Sequence, residues 1–150
     1  MIGYREIMKY HNQLPWIWQL NVVPHENVVL LNEINAEDRV LDLGCGSGWV
    51  EKQVLIPNGF KGEYVGYDVE LDKPDFKAYS SWEELRAAEK RFDVVLALNF
   101  IEHLEMEEAV ALLEDAVTNL MKPHSKIIVM TPNVFCFDYL FKDPQHKTFW

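Results

Sequence analysis

Val40-Leu41-Asp42-Leu43-Gly44-Cys45-Gly46-Ser47-Gly48 decides how the rest of this chain is read. An apolar run ends in an acid, and glycines then stand at alternating positions 44, 46 and 48. A backbone that turns sharply against a ligand needs glycine where a Cβ would clash. A dinucleotide fingerprint wants glycines at the first, third and sixth positions directly after a strand. Trp49 fills the sixth position here and is too large for it, and the Asp42 carboxylate would repel a pyrophosphate. The same carboxylate attracts an ammonium or a sulfonium. The loop therefore suits a nucleoside carrying positive charge, with the N–H groups of the next helix turned to its polar atoms.

Asp42-Leu43-Gly44-Cys45-Gly46-Ser47-Gly48 resembles the first motif of the class I S-adenosylmethionine-dependent methyltransferases without a mismatch. Three more segments agree in order and spacing. Gly62-Glu63-Tyr64-Val65-Gly66-Tyr67-Asp68 is similar to the second strand of that family, ending in the acid that holds the ribose hydroxyls. Phe92-Asp93-Val94-Val95-Leu96-Ala97-Leu98-Asn99-Phe100-Ile101-Glu102-His103-Leu104 resembles the fourth strand and its turn. Lys126-Ile127-Ile128-Val129-Met130-Thr131-Pro132-Asn133 resembles the fifth strand. The similarity runs from about residue 26 to the C-terminus.

The resemblance implies an α/β fold, a Rossmann-like, doubly wound, mostly parallel sheet with helices on both faces. It implies S-adenosylmethionine as cofactor. Gly44, Cys45, Gly46 and Gly48 would lie against it, and Asp42 would meet its amino group through water. Asp68 falls twenty residues past Gly48, at a strand's C-terminal end, where open α/β sheets bind ligands and one carboxylate accepts from two hydroxyls. Val69 would lie against the adenine. After the third strand the family usually carries an acid in a Gly-Asp pair, whereas Tyr79-Ser80-Ser81-Trp82 stands here. Ser80 or Ser81 is then expected at the adenine edge and Trp82 over its face, although Ser81 already has a capping role.

Asn99 is polar directly after an apolar strand, at the place where the family approaches the methyl group. Glu102-His103-Leu104 resembles a tripeptide frequent there, and His103 is the candidate general base because imidazole titrates near neutrality. The plainer role for His103 is a hydrogen bond to the backbone in a helix's first turn. His11 and His146 are weaker candidates. Tyr4, Tyr10, Trp16 and Trp18 suit a lid, or rings packed on the sheet edge.

The organisation expected is one domain over 1–150, with an aromatic-rich helical segment at 1–23, broken by Pro15, and a core from 24 onward. Helix and strand alternate in the core, as a parallel sheet requires. Expected are a helix to residue 34, strands at 39–43, 64–67, 76–79, 92–98 and 127–130, and a helix over 49–55. Ser81-Trp82-Glu83-Glu84 reads as a capping box that starts a helix at Trp82. Met106, Ala109, Val110, Leu113, Val117, Leu120 and Met121 keep helical spacing, and Pro123 is expected to end that helix.

A net charge of −10, from 14 basic against 24 acidic residues, argues against broad nucleic-acid binding and favours a small-molecule methyl acceptor. Cys45 and Cys136 form no metal-ligand spacing, so no metal is expected. No apolar run approaches the roughly 20 residues of a membrane span, and the first residues lack a signal-peptide pattern, which points to the cytoplasm. The family continues past its fifth strand through a helix and two further strands, while this sequence stops at Trp150. An open fifth-strand edge is therefore expected to pair with a second copy as a homodimer, or to be covered by the C-terminal segment. Two other readings exist. One is a non-catalytic relative that binds cofactor or partner; the other, a nicotinamide oxidoreductase, fails on Trp49 and Asp42.

Overall fold

The computed structural model describes residues 25–132 and Lys147. The chain divides between residues 33 and 34 into two units. The first contributes helix α1, His25–Glu33, which starts one residue after Pro24, a residue suited to helix starts. The remaining elements belong to the second unit. The N-terminal aromatic rings, His11, Cys136 and His146 lie outside the described residues.

Five parallel strands form one sheet: β1 Arg39–Leu43, β2 Glu63–Tyr67, β3 Ala78–Tyr79, β4 Phe92–Leu98 and β5 Met121–Met130. Their order is β3-β2-β1-β4-β5. The chain moves outward from β1 to β3, then jumps back across β1 to β4. With right-handed crossovers, that reversal puts the connections of the two halves on opposite faces. Strands covered on both faces read as continuous apolar runs. Val40, Leu41 and Leu43 of β1, and Val94 through Ala97 of β4, are accordingly fully buried. The fold implied by the sequence resemblance is the fold observed.

Helix α2, Trp82–Ala87, starts where expected: the Ser81 hydroxyl accepts from the Glu84 N–H at 3.4 Å and donates to the Glu83 carboxylate at 2.8 Å. Helix α3, Met106–Asp115, passes into a π-type turn over Ala116–Leu120. Its Ala109 joins Ala116, Leu120, Leu85 and Phe92 in the core cluster under the sheet. Full burial of a side chain such as Leu85 or Phe92 contributes about 1.5–3 kcal/mol each.

Three elements differ from the sequence reading. The segment after the glycines is a π-helical turn, Val50–Leu55, closed by a 3-10 turn over Ile56–Asn58 and left-handed Gly59. The third strand is only two residues long. The fifth begins at Met121, before Pro123. Phe92 pairs with Met121 and Val94 with Lys126, so residues 122–125 bulge out opposite Asp93. Pro123 has no N–H for the ladder, and His124 is left-handed at φ 65°. The bulge is fastened by Lys122, whose ammonium donates to both Asp93 carboxylate oxygens at 2.8 and 2.7 Å.

Candidate cofactor site

The strand order reverses between β1 and β4, and ligands bind outside the carboxyl ends of the strands at such a switch point. The register brings the relevant ends level. Leu43 pairs with Tyr67 and with Ala97, and Tyr67 pairs with Tyr79. The residues that follow are Gly44, Asp68, Ser80 and Leu98, with Asn99 next. The sequence candidates thus leave the sheet at one end.

Gly44, Gly46 and Gly48 all have positive φ, at 74°, 50° and 76°. Two of them are also wedged. A Cβ on Gly44 would lie 2.6 Å from a Phe100 ring carbon, and one on Gly48 would lie 2.5 Å from Phe76 Cε1. A Cβ on Gly46 would meet nothing within 4 Å. The loop therefore rests on two aromatic rings and opens outward at its middle glycine.

Asp68 grips that middle. Its Oδ2 accepts from the Gly46 N–H at 2.9 Å and its Oδ1 from the Glu70 N–H at 2.8 Å. Its own N–H donates to the Tyr79 carbonyl at 3.1 Å, while the Gly44 and Cys45 N–H groups donate to the Tyr67 carbonyl at 2.8 and 3.2 Å. A carboxylate has roughly four lone-pair positions, so two such bonds leave acceptor capacity on Asp68. Val69 beside it is 71 % exposed.

Asp42 is 3 % exposed and takes a 2.5 Å hydrogen bond from the Tyr64 hydroxyl. Burial pushes its carboxyl up to about 7, against the opposing effect of the Tyr64 bond, with the Asp68 charge adding to the rise. The buried Cys45 thiol is likewise raised, first by burial and then by Asp42 and Asp68. Cys45 fills space over Gly66, where a Cβ would collide with its sulfur and with the Phe76 ring.

Asn99 is exposed and left-handed at φ 50°, with its N–H donating to the Met130 carbonyl at 2.8 Å. Asparagine is among the few side chains that tolerate this conformation. His103 is partly buried at the end of a 3-10 turn, Ile101–His103, rather than in the first turn of α3. Its N–H donates to the Phe100 carbonyl at 3.1 Å, and the Lys147 N–H donates to the Glu102 carbonyl at 2.8 Å. Ser80 is exposed. The Trp82 indole N–H donates to Asp115 at 2.7 Å, and its ring stands edge-on to Tyr67 with centroids 5.1 Å apart.

Tyr64, Phe76, Phe100 and Lys52 escaped the sequence reading. Only the register of Val40 against Tyr64 makes Tyr64 a same-face neighbour of Asp42. Phe76 and Phe100 come from loops whose course no periodicity reports. Among the described residues, no group of His, Cys, Asp and Glu is placed to hold a metal ion, and no helix is long and apolar enough to cross a membrane.

Known proteins share this fold. Its fold matches a SAM dependent methyltransferase from Archaeoglobus fulgidus at 23 % identity and TM-score 0.69, over 97 % of this chain and 67 % of that one. It also matches a chain of the Pnkp1/Rnl/Hen1 RNA repair complex at 16 % identity and TM-score 0.62, over 96 % of this chain and 39 % of that one. No curated protein sequence matches it. The sequence profile of the methyltransferase domain matches residues 19–149. On that match the chain belongs to the methyltransferase domain family.

Proposed function

We propose that this protein binds S-adenosylmethionine and transfers its methyl group to a small-molecule acceptor. The observation that carries the reading is the pairing of Gly46 with Asp68: an open, left-handed glycine bonded at 2.9 Å to a carboxylate with acceptor capacity to spare. Asp42 in β1 and Asp68 just past β2 put two acidic groups at the same end of the sheet, which fits a ligand bearing cationic groups. When bound, the cofactor supplies an activated methyl group on a sulfonium.

The chain's own residues then have the following roles. Asp68 accepts from the ribose hydroxyls, and the exposed Val69 covers one face of the adenine. Ser80 offers a hydroxyl to the adenine edge, and Trp82 backs that side. Gly44, Cys45, Gly46 and Gly48 give the methionine portion close backbone approach, with Asp42 attracting its ammonium. Asn99 orients the donor at the end of β4. His103 takes the proton from the acceptor's nucleophilic atom, which a hydroxyl or protonated amine requires. Holding donor and acceptor in line contributes on the order of 7–11 kcal/mol of the barrier.

A small acceptor is favoured over RNA by the charge of −10, since polyanion binding depends on basic surface. The buried, unpaired Cys45 thiol suits a reducing compartment such as the cytoplasm. Among the described residues β5 pairs only with β4, and pairing of two copies through its other edge would give a homodimer. Methyl-labelled S-adenosylmethionine incubated with a cell extract tests the assignment. Label is expected in the small-molecule fraction; label in RNA alone would overturn the acceptor class, and binding without transfer would make the chain a non-catalytic cofactor binder.

A further inference from the structure

Lys52 is one turn past the glycine loop, in Val50–Leu55, and its partly exposed side chain reaches back to the loop. The ammonium donates to the Ser47 carbonyl at 2.8 Å, inside the loop itself. It also pairs with the Asp75 carboxylate at 2.5 Å and lies 5.3 Å from the centre of the Phe76 ring. Asp75 and Phe76 belong to residues 68–77, the connection that carries Asp68 and Val69 at its start. The Phe76 ring occupies the space that a Cβ would need at both Gly48 and Gly66. One cation thus touches the glycine loop and the far end of the adjoining connection together.

We propose that Lys52 is a positioning residue for the cofactor: it fixes the Ser47–Gly48 peptide and clamps the 68–77 connection, through Asp75 and Phe76, against the glycine loop. This rests on the functional reading above. An exposed ion pair alone contributes little to stability, and Asp75 is largely exposed. A pair that holds two walls of a pocket in their binding geometry acts instead on affinity, because less ordering is left to the binding event. The main-chain bond from the Lys52 N–H to the Gly48 carbonyl, at 3.1 Å, does not depend on the side chain. Side-chain substitution therefore separates the clamp from the helical turn that bears it.

The test is calorimetric titration of wild type, Lys52→Met, Lys52→Arg and Asp75→Asn with S-adenosylhomocysteine, alongside thermal melts. Lys52→Met is expected to weaken binding on the order of tenfold with little change in Tm. Asp75→Asn is expected to move affinity in the same direction, and Lys52→Arg, which keeps the charge, to recover most of it. Wild-type affinity in Lys52→Met overturns the clamp, as does a fall in affinity matched by a lowered Tm and not recovered by Arg. A wild-type chain that fails to bind overturns the functional reading and the clamp together.

Discussion

The Tyr64 hydroxyl reaches across from β2 to the Asp42 carboxylate of β1 at 2.5 Å, and that carboxylate is almost wholly withdrawn from water. The acid that the glycine motif demands is thus set in the core with a single neutral donor from the next strand. Burial outweighs the bond, and the carboxyl is raised from 3.8 to about 7.

A pH dependence follows from that balance. With its folded pKa above its unfolded one, Asp42 keeps a proton that the unfolded chain gives up between 3.8 and about 7. The folded form binds more protons in that window, so this group's contribution to stability falls as pH rises through it and stays level above. Asparagine cannot ionise. In the cofactor-free protein, Asp42→Asn should therefore be more stable than wild type near pH 8, by about 2–4 kcal/mol, and close to it near pH 4. Denaturant unfolding at the two pH values checks this.

Steric fit separates the glycines. Gly48→Ala places a methyl 2.5 Å from Phe76, in left-handed backbone, and should destabilise the fold by about 2–4 kcal/mol. Gly46→Ala meets open space and bears only the backbone strain of φ 50°, about 1–2 kcal/mol. Its larger effect should fall on cofactor affinity. Thermal melts and titrations of the two variants should rank them in opposite orders.

These glycines also mark how far the sequence carries the structure. The positions of β1 and β4, the capping of α2 by Ser81 and the tight glycine turn at 44–48 were legible, since each is written in contiguous residues: an apolar run, a cap, a spacing. What the loop rests on was not. Phe76 and Phe100 arrive from irregular connections, and Tyr64 meets Asp42 only through inter-strand register. The start of β5 was hidden because Pro123 reads as a break, whereas the strand absorbs it in a bulge pinned by Lys122 and Asp93. The partner of the Trp82 N–H, Asp115, lies 33 residues away in sequence and was hidden for the same reason.

The role proposed for His103 is to take the acceptor's proton. His103→Gln keeps a hydrogen-bonding side chain without a titrating imidazole, so methyl transfer to a hydroxyl or ammonium acceptor should slow about 10²–10⁴-fold. Affinity for S-adenosylhomocysteine should be unchanged. A rate equal to wild type, measured with labelled donor, would remove His103 from the chemistry.

Asp68 stands at the centre of the proposed site, since it braces Gly46 and keeps acceptor capacity for ribose hydroxyls. Titration of the wild-type chain and Asp68→Ala with S-adenosylmethionine and S-adenosylhomocysteine is the most direct measurement. Wild type is expected to bind both ligands, and the variant to lose about 2–4 kcal/mol of that affinity. A wild-type chain indifferent to both, or an Asp68→Ala chain that binds them equally well, would contradict the proposed cofactor site.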